Sequence, residues 1–151
     1  MRLNIKRTSK KTLSVSETRK LVWSLASSMM SARLIKHLSL TISFYDIDRG
    51  YPYADCGWED TNYRPRKFSI NISPRLSRKQ QISSIVHEMV HVRQFAKGEL
   101  MDYMNHQYDK YTKWKNKRIS IKVPYRKRPW EIEAYRLEKK LYKQYVRLLE
   151  K

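Results

Sequence analysis

The chain of 151 residues has the length of one domain, because a core of this size buries enough surface to fold alone. A hydrophobic content of 40% supports such a core, but three glycines and five prolines provide too few turn residues for an all-β sandwich, so helices should dominate. Lys and Arg total 33 against 14 Asp and Glu, and the net charge of +19 favours nucleic acid, an anionic membrane surface or an acidic protein as partner.

Cysteine content and hydropathy indicate the compartment. Cys56 is the only cysteine, so the chain can form neither an internal disulfide nor a cysteine-based zinc site. Residues 1–11 lack the apolar run of a signal peptide, and residues 21–35 are too short and too rich in serine to span a bilayer. We therefore expect a single domain over residues 1–151 in a reducing cytoplasm, or in the host cytoplasm or virion of a virus.

The first half of the chain predicts a helix, a strand and a loop. Ser14 and Glu17 have the spacing of a capping box, and apolar residues then recur at helical intervals, which predicts a helix over about 15–37. Apolar and polar residues alternate over 38–44, which is typical of a strand with one buried face. Residues 46–66 contain Gly, Pro and Asp and are predicted to form a loop.

The second half predicts a strand and two long helices. Alternation over 67–73 indicates a second strand, which ends before Pro74. A helix then begins near Ser77 and ends near Lys97, with Gly98 as its C-terminal cap. A short strand or hairpin is predicted near residues 119, 121 and 123, and Pro129 begins the last helix. The predicted fold class is α+β, with three main helices packed on a short antiparallel or mixed sheet.

The helix over 77–97 carries the motif H-E-x-x-H, formed by His87, Glu88 and His91. Two imidazoles four residues apart lie on one helical face and can bind the same metal ion. On a helical wheel they lie nearly opposite the main apolar stripe, so they are not ordinary members of that stripe. The motif predicts His87 and His91 as ligands of Zn²⁺ and Glu88 as a catalytic base.

A catalytic zinc ion needs a third protein ligand and a fourth position for water. Glu131 is the first candidate, because Glu131, Ala134 and Tyr135 share a helical face and the small Ala134 allows a close approach. Glu133 points elsewhere on that helix and is the reserve candidate. His106 is the alternative that would give an all-imidazole site.

The run His87-Glu88-Met89-Val90-His91, followed by Glu131-Ile132-Glu133-Ala134, resembles the gluzincin metallopeptidases, in which a Glu on a later helix completes a His-His-Glu site. The likeness covers about residues 67–136 and extends to small, largely uncharacterised metallopeptidases of phages and bacteria. It implies a small zincin-like domain, hydrolysis of a protein or peptide substrate, and zinc bound by His87, His91 and Glu131. Tyr135 stands where many gluzincins place an Asp or Asn that orients a ligand.

A second resemblance is to the Spartan-type, SprT-like peptidases that act on DNA–protein crosslinks. Their third zinc ligand is a His at about the place of His106. The small residue that usually follows that His is Gln107 in this chain, so this resemblance ranks second.

Both resemblances imply the same chemistry. Zinc lowers the pKa of its bound water towards about 7 and polarises the scissile carbonyl group. Glu88 removes the water proton as general base and can return it to the leaving amine. Tyr125, Tyr135 or His106 can supply a further donor to the oxyanion, and the sequence leaves this choice open.

The predicted strand over 67–73 precedes the zinc helix, where such peptidases present backbone groups to an extended substrate. An edge strand at this place would bind a peptide by adding it to the sheet. An ordinary core strand explains the same pattern equally well.

The segment from Lys110 to Arg128 is basic and aromatic. It holds nine Lys and Arg residues and no acid, with Tyr111, Trp114 and Tyr125 interleaved. Cations neutralise phosphates and exposed aromatic faces stack on unpaired bases, so the segment suits single-stranded nucleic acid unless its aromatic residues are packed in the core. The alternative to a peptidase is therefore a basic nucleic-acid-binding protein with a structural or vestigial metal site.

Overall fold

A computed structural model describes residues 1–45, 53–104 and 110–149, and over these residues the fold is α+β with four α-helices and two sheets. The predicted fold class is thus confirmed. The helices are α1 (Val15–Met29), α2 (Ala32–Lys36), α3 (Arg78–Ala96) and α4 (Pro129–Leu149), with a short 3-10 helix η1 (Tyr125–Lys127). The strands are β1 (Arg2–Arg7), β2 (Ser39–Phe44), β3 (Ala54–Trp58), β4 (Lys67–Ile72), β5 (Leu100–Met104), β6 (Lys110–Trp114) and β7 (Lys117–Ile119).

The larger sheet is mixed and has the strand order β1-β2-β4-β3. β1, β2 and β4 run parallel, and β3 runs antiparallel to β4. The apolar residues of the two predicted strands all lie on one buried face, because they occupy alternate positions. They belong to one hydrophobic cluster with residues of α1 and α3, which cover this face of the sheet, while α4 packs on these two helices.

The first predicted helix is wrong in its length, since two helices replace it. α1 ends at Met29, Met30 is extended (φ −134°, ψ 151°), and Ser31 begins α2 by accepting a hydrogen bond from the Leu34 N–H. Serine competes well for the N-cap position, so the chain restarts a helix there although apolar residues continue at helical spacing. Periodicity alone gave no sign of this break.

Neither β1 nor β3 of the large sheet was predicted from the sequence. Of these two strands, β3 lies at the edge of the sheet next to β4. β1 lies in the basic N-terminal segment, and β3 lies within the predicted loop over 46–66. β3 pairs with β4 along its length, while β2 pairs with the other side of β4. Of the two interpretations of residues 67–73, the ordinary core strand is therefore confirmed, and the edge of the sheet belongs to β3.

The smaller sheet is antiparallel, with the order β5-β6-β7. Lys115 and Asn116 join β6 to β7 with positive φ angles of 47° and 67°, as a two-residue hairpin turn requires. The predicted hairpin is displaced, because β7 ends at Ile119 and Ile121 is 69% exposed. Among the described helices, none is long and apolar enough to cross a membrane.

Glu17 connects the beginnings of α1 and α3. Its carboxylate accepts a hydrogen bond from the Ser14 N–H (2.8 Å), which completes the predicted capping box. It also accepts one from Arg78 Nη2 (2.6 Å) at the first turn of α3. The hydrogen bond from Arg78, followed by the one from Ser14, lowers the pKa of Glu17 to about 2.

Removing this carboxylate should destabilise the fold in a pH-dependent way. Because the folded-state pKa lies below the ordinary value of 4.5, the contribution is complete above pH 4.5 and is lost as the pH falls towards about 2. We expect Glu17→Ala to lower the free energy of unfolding by about 1 kcal/mol at neutral pH. Urea unfolding across this pH range measures the effect, and a difference from the wild type that persists at the acidic end would contradict it.

Candidate metal centre

α3 places the H-E-x-x-H motif between the large sheet and α4. Its apolar stripe packs on the sheet, and α4 covers the opposite side, where the histidines lie. His87, Glu88 and His91 are each only 7% exposed as a result. Ala134 is completely buried at this junction, which agrees with a close approach of the two helices.

Three side chains converge across the junction of α3 and α4. His87 Nε2 lies 3.1 Å from His91 Nε2. The carboxylate of Glu131 approaches both imidazoles, with Oε2 3.3 Å from His87 Nε2 and Oε1 3.5 Å from His91 Nε2. The three possible ligand atoms all lie within 4.8 Å of one another, so His87, His91 and Glu131 form a buried group that could hold a metal ion.

The outer nitrogen of His87 is held by a second carboxylate of α4. Glu138 Oε2 lies 3.0 Å from His87 Nδ1 and accepts its proton in a hydrogen bond. Ser83, one turn before His87, donates its hydroxyl to the other oxygen of Glu138. A proton fixed on Nδ1 leaves the lone pair on Nε2, which is the tautomer that a metal ligand needs.

His91 is oriented by a side-chain amide instead. Gln94 Oε1 lies 2.8 Å from His91 Nδ1 and accepts its proton. The Gln94 amide group donates in turn to the Trp130 carbonyl oxygen (3.1 Å) and to Glu133 (3.0 Å). Both imidazoles therefore turn Nε2 towards Glu131, and two nitrogens with one carboxylate are a donor set that suits Zn²⁺.

Charge interactions within this group are strong. Burial opposes protonation of His87, but the hydrogen bonds with Glu131 and Glu138 outweigh it and raise the pKa of His87 to about 9. Burial likewise opposes ionisation of Glu131, but hydrogen bonds from His87 and His91 lower the pKa of Glu131 to about 2. The surrounding carboxylates thus favour positive charge at His87, and a cation could take the place of the proton.

Glu88 lies beside the metal group and has a different environment. Burial, as the largest effect, raises the pKa of Glu88 above its ordinary range. Glu88 lines two cavities of about 320 and 450 Å³, which open on either side of the histidine pair. Ala54 and Tyr125 line both cavities as well, so the two spaces meet at Glu88.

The other nominated ligands take no part in the group within the described residues. Glu133 forms an ion pair with Arg93 and accepts a hydrogen bond from Gln94, so it supports the site from outside. His106, nominated as a ligand and as an oxyanion donor, lies outside the described residues.

The two nominated tyrosines lie at the site in different ways. The hydroxyl group of Tyr125 hydrogen-bonds Glu131; burial and then this bond raise the pKa of Tyr125, which keeps its hydroxyl protonated as a donor. The ring of Tyr135 packs on the His87 ring at a centroid distance of 4.7 Å.

Sequence reasoning missed the groups that orient the histidines. The gluzincin pattern places the orienting residue at position 135. In this chain Tyr135 stands there, and it cannot accept the His87 proton as a carboxylate does. Glu138 lies seven residues after Glu131, on the same face of α4, and Gln94 lies three residues after His91. This helical spacing is the signal that would have found both residues.

Comparison of the chain with models of protein families, with curated proteins and with solved structures gives no match in any of the three.

Removing Glu138 should weaken metal binding without removing a ligand. We expect Glu138→Ala to reduce the affinity for Zn²⁺ by about 10- to 100-fold, because His87 loses the group that fixes its tautomer and ring orientation. Competition with a chromophoric chelator measures the affinity. Glu59→Ala, which removes a carboxylate that pairs with Lys67 instead, is the control and should bind like the wild type. Equal affinities for all three proteins would contradict the orienting role.

Proposed function

We propose that the chain is a zinc-dependent peptidase of gluzincin type, with zinc held by His87, His91 and Glu131 and with Glu88 as general base. The convergence of Glu131 with both histidines carries the proposal. It supports the resemblance because the carboxylate comes from the later helix that the gluzincin pattern requires. Nitrogen and oxygen ligands in this number also favour zinc over Mg²⁺ or Ca²⁺, which prefer sites built from oxygen.

The roles of the residues follow from their positions. When bound, zinc supplies Lewis-acid chemistry, which eases deprotonation of a water molecule and attack on a carbonyl group. Glu88 takes the proton from the attacking water and returns it to the leaving amine. Its position supports this role, because Glu88 lies between the two histidines in the motif and borders both cavities, and its burial raises its pKa.

Tyr125 is the donor that we assign to the oxyanion. Its ring borders both cavities at the point where they meet, and its hydroxyl already lies beside Glu131. A protonated hydroxyl at this place can turn from the ligand carboxylate to a negative charge that develops on the substrate. Tyr135 lines only the larger cavity, where its ring contacts His87, and is better placed to pack against the substrate.

Among the described strands, none pairs with the outer edge of β3, and this edge is the surface that we assign to the peptide backbone. The Tyr53 carbonyl oxygen accepts a hydrogen bond from the Ser73 N–H, and the Glu59 N–H donates to the Lys67 carbonyl oxygen. Odd-numbered residues of β3 therefore bond to β4, and the N–H and C=O groups of the residues between them point outwards. Ala54 and Cys56 present these groups beside Glu88, so an extended substrate added there would cross both cavities.

We infer that the protein is in a reducing cytoplasm. If its source is a virus, this is the cytoplasm of the host or the interior of the virion. Cys56 is a free thiol, which is the usual state of cysteine in such a compartment.

The catalytic assignment is tested by separating metal binding from cleavage. We expect His87→Ala and Glu131→Ala to lose Zn²⁺, and Glu88→Gln to keep zinc while cleavage falls by about 10²- to 10⁴-fold because the general base is lost. Elemental analysis measures the metal, and a library of fluorogenic peptides measures cleavage. Glu59→Gln is the control and should retain zinc, because Glu59 pairs with Lys67 and has no contact with the candidate metal ligands.

Two results would overturn parts of this proposal. Wild-type protein that remains free of zinc after purification without chelators contradicts the metal site. A full complement of zinc, with no cleavage of any peptide by the wild type, would instead support the alternative of a structural or vestigial site.

The β3 assignment is tested by removing one outward N–H group. We expect Cys56→Pro to raise KM about 5- to 10-fold at unchanged zinc content, because one hydrogen bond to the substrate backbone is lost and proline is tolerated at a sheet edge. Cys56→Ala keeps the N–H group and is the matched control. An equal rise in KM for both variants would assign the effect to the side chain and contradict backbone recognition.

A further inference from the structure

The acids of α4 are paired within the protein, whereas its cations face the solvent. Glu131, Glu133 and Glu138 all face α3 or the hairpin, where each has partners. The cations of α4 are all exposed: Arg136, Lys139, Lys140, Lys143 and Arg147. The solvent side of α4 therefore carries only positive charge over its described residues.

Four of these cations form a straight line along the helix. Arg136, Lys140, Lys143 and Arg147 follow the spacing of four, three and four residues, which places them within an arc of about 60°. We call them the α4 ridge. The ridge is about 16 Å long at the rise of an α-helix. It lies opposite Ala134, Leu141 and Tyr145, which are buried against the rest of the protein.

The ridge is not an ordinary solvated face. On such faces acids and bases alternate and pair at four-residue spacing, whereas the pairs Arg136 with Lys140 and Lys143 with Arg147 have the same charge and repel. None of the four cations forms an ion pair within the described part of the chain. The helix dipole favours cations only near the C-terminal turn, so it accounts for Arg147 and not for Arg136.

A second group of cations continues the ridge at its N-terminal end. Arg126 and Lys127 are exposed on η1, immediately before α4. The Arg126 guanidinium lies 5.9 Å from the centre of the Tyr135 ring, next to the first ridge residue in sequence. The positive surface thus extends from η1 along α4.

We propose that the α4 ridge, together with Arg126 and Lys127, binds the phosphate backbone of duplex nucleic acid. A duplex presents a dense line of negative charge, about one per 1.7 Å of its axis, which a rigid row of cations can follow. Binding relieves the repulsion between like charges on the helix. The inference is independent of the metal site, because the ridge lies on the side of α4 opposite Glu131 and Glu138.

An anionic membrane fits this surface less well. A helix that lies in a membrane interface inserts an apolar face between the lipids. The apolar face of α4 is packed against α1 and α3, and among its described side chains the exposed large hydrophobic residues are Ile132, at 55%, and Tyr135, at 36%, whose ring packs on His87. A charged surface without an exposed apolar face is better suited to a polyanion in solution than to a membrane.

Base stacking on the β6–β7 hairpin also contributes less than the sequence suggested. Trp114 is partly buried against the core, and its ring lies 6.4 Å from that of Trp130. Cations of the protein itself already lie over the rings of Tyr111, Trp114 and Tyr125, at 4.3 Å for Arg118, 4.8 Å for Lys115 and 5.6 Å for Arg128. A line of phosphates on a duplex is therefore a better ligand than unpaired bases.

The test compares two variants with equal net charge. In the ridge variant, Arg136, Lys140, Lys143 and Arg147 are changed to Gln. In the control, the exposed cations Lys6, Lys10, Arg33 and Lys36 are changed to Gln, so that both proteins lose four charges. Fluorescence anisotropy with a labelled DNA duplex and with a single strand of the same length measures affinity at several salt concentrations.

We expect the wild type and the control to bind the duplex with a steep salt dependence. The slope of log affinity against log salt should be smaller for the ridge variant by about 3 to 4, since each lost phosphate contact removes about 0.9. Equal slopes for the ridge variant and the control would overturn the proposal. So would tighter binding of the wild type to the single strand, or to vesicles of anionic lipid, than to the duplex. Circular dichroism shows whether each variant is folded.

Discussion

The contact between α3 and α4 is the constraint on which the rest of the site depends. It inserts His87 of α3 between two carboxylates of α4, with Glu131 at Nε2 and Glu138 at Nδ1. Ala134 lies between these two glutamates in sequence and is completely buried, so no side chain separates the helices there. A larger residue at position 134 would move both carboxylates away together, and the ligand and its orienting group would be lost in one step.

Burying so many charged groups is costly unless they compensate one another. Glu88, Glu131 and Glu138 bring three carboxyl groups to two imidazoles, and the site is short of positive charge although the protein carries a net charge of +19. A proton on His87 supplies part of it, and a divalent ion held at the same place would supply more. Because a ligand stabilises the folded state that binds it, such an ion would also stabilise the α3–α4 contact.

Local sequence patterns were sufficient to predict the strands and helices whose characteristic residues all lie on one face. Alternation located β2 and β4, the capping box located the start of α1, and H-E-x-x-H with its later Glu nominated the three residues that converge. Features that depend on a distant partner were missed. β3 has no apolar alternation of its own and exists because β4 offers it an edge, while Glu138 matters only once α4 is known to lie across His87.

The orientation of α4 also decides which of its charged side chains are buried and which are exposed. Its sequence holds three acids, all before Lys139, and five bases, four of them after Glu138, so the sequence alone predicts compensating ion pairs only in its first half. Packing on α3 turns the three acids inwards to the histidines and to Arg93, and every compensating charge leaves the surface with them. Packing and sequence together therefore produce the positive ridge: over its described residues, α4 has no acid three or four positions from Lys140, Lys143 or Arg147, and the acid at that spacing from Arg136, Glu133, is paired with Arg93.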